Sequence, residues 1–312
     1  MPSTWLVPDG LDGERLDVAA ARMTGLSRSR VESLLARGDV SLNSRPAAKS
    51  DRVAAGDLLE AELAEAATGV AVVPREVAGI EIVYDDADIV VVDKPAGVAA
   101  HPSLGWDGPS VVEHLAAAGF RISTSGAAER QGIVQRLDVG TSGLMVVAKS
   151  EPAYTALKQA FRSRKVEKVY QTLVQGLPDP LEGTIDAPIG RHPGADYKMA
   201  VVAGGRRAVT HYETLEAFRA ATLLRVRLET GRTHQIRVHM QAIRHPVAGD
   251  PTYGGDPVLA ARLGLERQWL HAVRLGFDHP VTGEPMRFES QPSADLETAL
   301  IRIAEAGQSP GL

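Results

Sequence analysis

Residues 132–150 read GIVQRLDVGTSGLMVVAKS, a polar bend between two apolar runs. The leading pair IV and the trailing run LMVVA are both suited to buried strands. The bend carries Arg136, Asp138, Gly140 and Gly143. The glycines allow a tight turn, but a lone carboxylate close to an arginine is more than a turn requires. At the rim of a core sheet, this pair is a candidate for binding or catalysis.

The composition is that of an ordinary soluble globular protein, with 312 residues, 44% hydrophobic and 23% charged. This length fits one large or two moderate domains. The absence of cysteine excludes disulfides, thiolate metal ligands and cysteine nucleophiles, and it suits a reducing cytoplasm. The start MPSTWLVPDG is no secretory signal, and no run approaches the ~18 apolar residues of a membrane span. We therefore expect a cytoplasmic protein with no membrane partner.

The N-terminal region predicts a small unit of helices and short strands. Residues 15–24 and 27–37 read as helices, with Ser27 as a cap and Gly38 as the stop. DVSLN and DLLEAEL read as strands. Residues 22–52 hold seven basic and three acidic side chains, although the whole chain has a net charge of −5. These cations form either a solvated helix face or a footprint for phosphates, and their concentration at one helix start favours phosphates.

The rest of the chain predicts an α+β fold. Residues 65–79 look like a linker of small residues with one proline. Beyond them, strand patterns dominate and helix patterns interrupt irregularly, with no βαβ rhythm. We therefore expect a largely antiparallel or mixed central sheet with flanking helices and loops, and no Rossmann fold or barrel. Strands are predicted at IEIVY, IVVVDKPAG, VEKVYQTLVQG, GTIDAPIG, AVTHYETLEAF and ATLLRVRLET, and helices at SVVEHLAAAG, EPAYTALKQAFRSRK and 233–243.

The motifs of nucleotide-binding loops, zinc proteases and serine hydrolases are absent from the sequence. His234 and His239 are five residues apart, which is off the spacing of a helical metal-ligand pair. We therefore expect no metal and no nucleotide cofactor. The segment GRTHQIRVH is rich in donors, yet its apolar residues indicate partial burial. A buried Arg237 requires a carboxylate, and Asp138 is the obvious candidate.

A second group of cations precedes Tyr170 and comprises Lys158, Arg162, Arg164, Lys165 and Lys168. By itself the group fits a solvated helix end. Beside a tyrosine in a strand, it also fits a phosphate-lined approach to a stacking platform.

These segments together resemble the RluA-type pseudouridine synthases. QRLDVGTSGLMVVAK resembles the family's catalytic motif H-R-L-D-x-x-T-S-G-L, with Gln135 where the family usually has histidine. VDKPAGVAAHPS, EKVYQTLVQG, TGRTHQIRVHM, HPVAGDPTYG and LHAVRLGFDHP resemble its other blocks, in the same order. The N-terminal helix pair with DVSLN resembles the RNA-binding domain first described in ribosomal protein S-four. The resemblance covers about residues 11–297.

The resemblance implies the pseudouridine synthase fold and isomerisation of uridines in structured RNA. Asp138 is then the catalytic carboxylate, either as a nucleophile or as an electrostatic partner at the ribose–base junction. A single carboxylate fits this reaction, since a hydrolysing glycosidase typically uses two. Arg136 is expected to replace the stacking lost when the uridine flips out, and Tyr170 to pack on the uracil or take the proton from its carbon five. Arg237 is expected to pair with Asp138 and keep it ionised and oriented.

The resemblance also predicts the partners and the domains. The expected partner is large-subunit ribosomal RNA, contacted by Arg28, Arg30, Arg37 and Lys165, and the expected state is a monomer without a cofactor. The alternatives are a transfer-RNA synthase, a noncatalytic RNA-binding or ribosome-assembly factor, and a nucleosidase. The predicted domains are an RNA-binding domain at 11–68, a linker at 69–79, a catalytic domain at 80–300 and a tail at 301–312.

Overall fold

The computed structural model describes residues 3–24, 28–62, 72–102, 106–123 and 132–307. The chain divides into two compact units, Met1–Gly69 and Val70–Leu312. Among the described residues, no helix is both long and apolar enough to cross a membrane.

The first unit packs two helices on a small antiparallel sheet of order β1-β4-β2-β3. Its elements are β1 (Ser3–Leu6), α1 (Leu16–Thr24), α2 (Arg28–Arg37), β2 (Val40–Leu42), β3 (Arg45–Pro46) and β4 (Leu58–Ala61). Leu16, Leu34 and Leu59 form part of one buried cluster, so each layer contributes to the core. Gly38 has a φ of 78°, which supports the predicted stop. The predicted cap Ser27 and the side chains of Arg28 and Arg30 lie outside the described residues.

The second unit is built on one large mixed sheet. Its strands are β5 (Glu81–Asp85), β6 (Ile89–Lys94), β7 (Ser142–Ala148), β8 (Glu167–Gln175), β9 (Glu182–Asp186), β10 (Ile189–His192), β11 (Ala195–Val201), β12 (Val209–Ala217), β13 (Ala221–Leu228), β14 (Leu270–Asp278) and β15 (Pro285–Glu289). Its helices are α3 (Val111–Ala117), α4 (Glu151–Arg162), α5 (Gln235–Ala242), α6 (Pro257–Leu263) and α7 (Ala294–Gly307). The order is β5-β6-β7-β14-β8-β13-β12-β9, with β15 on β14. Only β7 and β14 pair in parallel among these described strands, so the predicted α+β mixed sheet is confirmed.

The central strand β7 explains why the sequence offers a continuous apolar run. All seven of its residues are buried. Successive side chains of a strand point to opposite faces, and here both faces are covered. Met145 packs in the same cluster as Leu115 of α3, and Val146 packs in the cluster that contains Leu157 of α4.

Two segments differ from the sequence prediction. The run GTIDAPIG is not one strand, because Pro188 cannot donate a ladder hydrogen bond and the chain leaves the sheet there. β9 lies at the end of the large sheet, and β10 forms a separate hairpin with β11. The last helix, α7, continues past residue 300, and Ile303 is buried within it.

Candidate active site

The bend quoted first is a tight turn at the start of β7. The Thr141 amide donates to the Asp138 carbonyl at 2.9 Å and closes the turn. Gly143 follows with a φ of 113°, opposite Ala272 of the parallel neighbour β14. A Cβ at Gly143 would lie 2.5 Å from the Ala272 backbone, so glycine is required there. The turn therefore sits where β7 and β14 meet, with Asp138 at its first position.

The carbonyls of this turn are held by surrounding groups. The Val139 carbonyl accepts from the Gly97 amide at 2.9 Å and from Lys94 Nζ at 3.4 Å. The Gly140 carbonyl accepts from Arg267 Nη1 at 3.0 Å. With its backbone held in this way, the turn presents Asp138 from a fixed position.

Lys94 is fully buried beneath the turn and also donates to the carbonyls of Pro95 at 2.9 Å and Val98 at 2.8 Å, so among the described residues it bonds to backbone oxygens only. Burial lowers the pKa of Lys94 to about 7, and the nearby Asp138 carboxylate opposes that shift. The three carbonyls match the three N–H bonds of an ammonium group. Lys94 thus joins β6 to the turn that carries Asp138.

The predicted contact between Arg237 and Asp138 is present, but it is not the main contact of Arg237. Arg237 Nη1 donates to Asp138 Oδ2 at 3.2 Å. The same guanidinium donates twice to Asp250, from Nε at 2.6 Å and from Nη2 at 2.9 Å, and lies over the Tyr253 ring. The Asp250 side chain is fully buried, whereas that of Asp138 is 25% exposed. Arg237 is therefore anchored on Asp250 and orients Asp138 through one bond.

Asp250, Tyr253 and His234 were not predicted as site residues from the sequence. The Asp250 carboxylate also accepts the amides of Thr252 and Tyr253, so it closes its own turn. Tyr253 Oη accepts the Met199 amide at 2.9 Å and lies 2.7 Å from His234 Nδ1. The sequence did offer a reason to consider Asp250. A buried arginine requires a carboxylate, and the block HPVAGDPTYG contains one just as the turn at Asp138 does.

Asp138 lines a cavity of about 610 Å³, which is also lined by the other predicted substrate-binding residues. Arg136, Tyr170 and Arg237 all line it, so the structure brings the four residues together. Arg136 is exposed and donates to Thr233 Oγ1 at 3.2 Å. Burial raises the pKa of Tyr170, and the Asp138 charge raises it further.

The cavity is strongly cationic. Its described lining holds two carboxylates, Asp138 and Glu229, and eight cationic side chains: Arg136, Lys158, Arg162, Arg164, Lys168, Arg206, Arg232 and Arg237. Lys165 is exposed in the segment after α4 and is not among the described lining residues. Arg37 lies in the first unit and pairs with Asp39 at 2.7 Å. Such a lining favours a ligand that carries several negative charges.

The histidines near α5 have separate partners. His239 bonds to Thr210 and to the Ala187 carbonyl, and His245 bonds to the Gln175 carbonyl. The described residues offer one group with metal-ligand spacing, Asp86, Asp88 and His279, and none of these lines the cavity. Asp86 already accepts hydrogen bonds from Tyr84 and from two backbone amides, as well as lying 2.9 Å from His279 Nε2.

Comparison with known proteins identifies the family and the fold. Residues 88–242, which contain the turn, Tyr170 and Arg237, match the family described as RNA pseudouridylate synthase. An uncharacterized RNA pseudouridine synthase of Mycobacterium bovis is 59% identical over 94% of this chain and 96% of its own length. This chain belongs to the RNA pseudouridine synthase family. The recognised family and the predicted class of enzyme are thereby confirmed.

Two further relatives agree. The ribosomal large subunit pseudouridine synthase D of Pseudomonas aeruginosa is 43% identical over 93% of this chain and 92% of its own length. The structure of human RNA pseudouridylate synthase domain containing 1 superposes with a TM-score of 0.58 at 26% identity, covering 77% of this chain and 99% of the human chain. The predicted pseudouridine synthase fold is confirmed.

Proposed function

We propose that this chain converts uridine to pseudouridine in large-subunit ribosomal RNA, with Asp138 as the catalytic carboxylate. The main observation that supports this proposal is the environment of Asp138, whose Oδ2 accepts a hydrogen bond from Arg237. Among the described residues, Oδ1 accepts no hydrogen bond and is left for the substrate. The carboxylate lies in a cationic cavity with Tyr170.

The reaction breaks the bond between ribose C1′ and uracil N1, turns the base, and forms a bond from C1′ to C5. The proton on C5 then leaves, and the freed N1 takes up a proton. Asp138 acts at C1′, as a nucleophile or as the charge that stabilises an electron-poor ribose. Atoms balance without a redox partner, because product and substrate are isomers.

The neighbouring residues have supporting roles in this proposal. Tyr170 packs against the uracil, and its raised pKa favours packing over proton acceptance, because a phenol that stays protonated at neutral pH cannot take the C5 proton. Arg136 occupies the exposed side of the cavity and helps to replace the stacking that the flipped uridine loses. Since the four proposed residues all belong to the second unit, one chain supplies the site, and we propose that it acts as a monomer in the cytoplasm.

Large-subunit ribosomal RNA is supported by the relatives named for that substrate, which match over most of the chain. The test is to incubate the purified protein with unmodified large-subunit ribosomal RNA or with transfer RNA, each labelled with tritium at uracil C5. We expect tritium release from the ribosomal RNA. Pseudouridine mapping in a deletion strain should show the loss of particular ribosomal positions, restored by the wild-type gene. Release from transfer RNA alone would contradict the proposed substrate, and no release from either RNA would favour a noncatalytic role.

A further inference from the structure

Three cations of the cavity lining lie close enough for their charges to act on one another, and among the described residues only Arg164 pairs with a carboxylate. Lys168 projects from β8, Arg164 lies in the turn after α4, and Arg232 precedes α5. All three line the cavity that contains Asp138. Three separate segments therefore converge with the same sign of charge.

Lys168 is the least compensated of the three. It is half-buried, and within the described part of the chain its ammonium makes no hydrogen bond and no ion pair. Burial together with the charges of Arg232 and Arg164 lowers its pKa to about 8. Burial and the charges of Arg206 and Arg164 likewise lower the pKa of Arg232. A fold gains nothing from this arrangement by itself, since like charges are brought together and partly removed from water.

Two carboxylates lie beside the group among the described residues, Glu229 and Glu167, and Glu167 already lies 3.8 Å from Arg274 Nη1. Glu229 accepts from Arg164 Nη1 at 3.1 Å and lies 2.9 Å from His211 Nε2. It balances part of the charge of Arg164, so Lys168 and Arg232 have no carboxylate partner in the described part of the chain, where Arg232 Nε donates to the Arg207 carbonyl at 3.0 Å. The missing partner is therefore an external anion.

The position of Lys168 relative to Tyr170 specifies that anion. The two residues are i and i+2 on β8 and line the same cavity, so their side chains lie side by side, about 7 Å apart along the strand. A base that packs on Tyr170 would bring a phosphate next to its ribose within reach of Lys168. We propose that Lys168, Arg164 and Arg232 form a subsite for one backbone phosphate beside the target uridine. This inference rests on the proposed function, since it takes Tyr170 as the platform for the base.

The test measures RNA binding in the Asp138→Asn background, so that no turnover interferes. The probe is a short single-stranded RNA with one uridine, and its affinity is measured against salt concentration. Lys168→Met should weaken binding about tenfold, as expected for a lost charge-assisted hydrogen bond. The log–log salt slope should become shallower by about 0.7, the value for one phosphate contact on a single strand. The charge-matched control is Arg262→Met, because Arg262 is exposed on α6 and does not line the cavity.

A second arm locates the phosphate. Each phosphate beside the uridine is replaced in turn by an uncharged methylphosphonate. One replacement should weaken binding to the Asp138→Asn protein and should cause no further loss in the protein that also carries Lys168→Met. Losses that add independently at every position would overturn the subsite, as would an unchanged affinity and salt slope in Lys168→Met.

A third arm guards against a folding defect. Without RNA, Lys168→Met should unfold at the same or a higher temperature than wild type, because the substitution removes a repelled charge. A lower unfolding temperature would show that Lys168 stabilises the fold through an internal partner, and it would overturn the proposal. This design distinguishes a failure of the phosphate subsite from a failure of the proposed function. Loss of the Lys168 effect contradicts the subsite, whereas normal binding without pseudouridine formation by the wild type contradicts the proposed function.

Discussion

Arg237 lies between two carboxylates that differ in burial, and this difference sets what each contact does. The bidentate bond to the fully buried Asp250 is structural, and the single bond to Asp138 positions a partly exposed group. Arg237→Met should therefore destabilise the protein by about 3–5 kcal/mol, because it leaves the fully buried Asp250 without its cation. Asp138→Asn should change the free energy of unfolding by less than about 1 kcal/mol. Urea unfolding of both variants measures the difference, and equal losses would show that the two contacts are equivalent.

Lys168 gives the cavity a pH dependence at the scale of one residue. The charged groups that share its cavity surface include Arg164, Arg206, Arg232 and Glu229. Since its pKa is lowered to about 8, Lys168 is charged below that pH and becomes neutral above it. RNA affinity of the wild type should therefore fall as the pH rises from about 7 to about 9.5, whereas Lys168→Arg should show a flatter profile. Parallel profiles for the two proteins would mean that Lys168 does not contact the RNA.

At the scale of elements, the junction of β7 and β14 determines where the turn that carries Asp138 sits. Gly143→Ala would place a Cβ 2.5 Å from the Ala272 backbone at a φ of 113°. We expect a loss of about 2–4 kcal/mol in the free energy of unfolding, with a lower rate of tritium release. Gly204→Ala is the matched control, because no atom lies within 4 Å of the added Cβ. If the Gly143→Ala protein were as stable and active as this control, the close contact between β7 and β14 would not be needed to position the turn.

Helices and strands with a regular pattern of buried residues could be predicted from the sequence, whereas contacts between residues far apart in the chain could not. The run LMVVA predicted β7 because both faces of that strand are covered, which leaves no polar position in it. The split at Pro188 was missed because the strand pattern continues on both sides of it. The pairing of Arg237 with Asp250 could not be read from periodicity, since it joins α5 to a turn and competes with the equally plausible Asp138. Lys94 was missed for the same reason, because only the fold shows which carbonyls surround it.

At the scale of the whole molecule, we propose that the first unit binds structured RNA and that the second carries the chemistry. The second unit contains all the cavity residues, and the chain divides at Gly69 and Val70. Removing residues 1–69 should weaken binding to structured ribosomal RNA and make its salt dependence shallower, while a short single-stranded RNA binds almost as before. Cooperative thermal unfolding of the shortened protein is the control for its fold. An unchanged salt slope with structured RNA would assign the arginines of the first unit to a solvated surface.

The most direct test of the central claim is the single-turnover rate of tritium release by Asp138→Asn at saturating RNA. Asparagine keeps an acceptor for Arg237 and removes the negative charge, so we expect no release above background. RNA affinity should stay within about tenfold of wild type, which corresponds to ~1.4 kcal/mol. Asp278→Asn, at an exposed aspartate in β14, should release tritium at the wild-type rate. Pseudouridine formation by Asp138→Asn at more than a trace rate would contradict the assignment of Asp138 as the catalytic carboxylate.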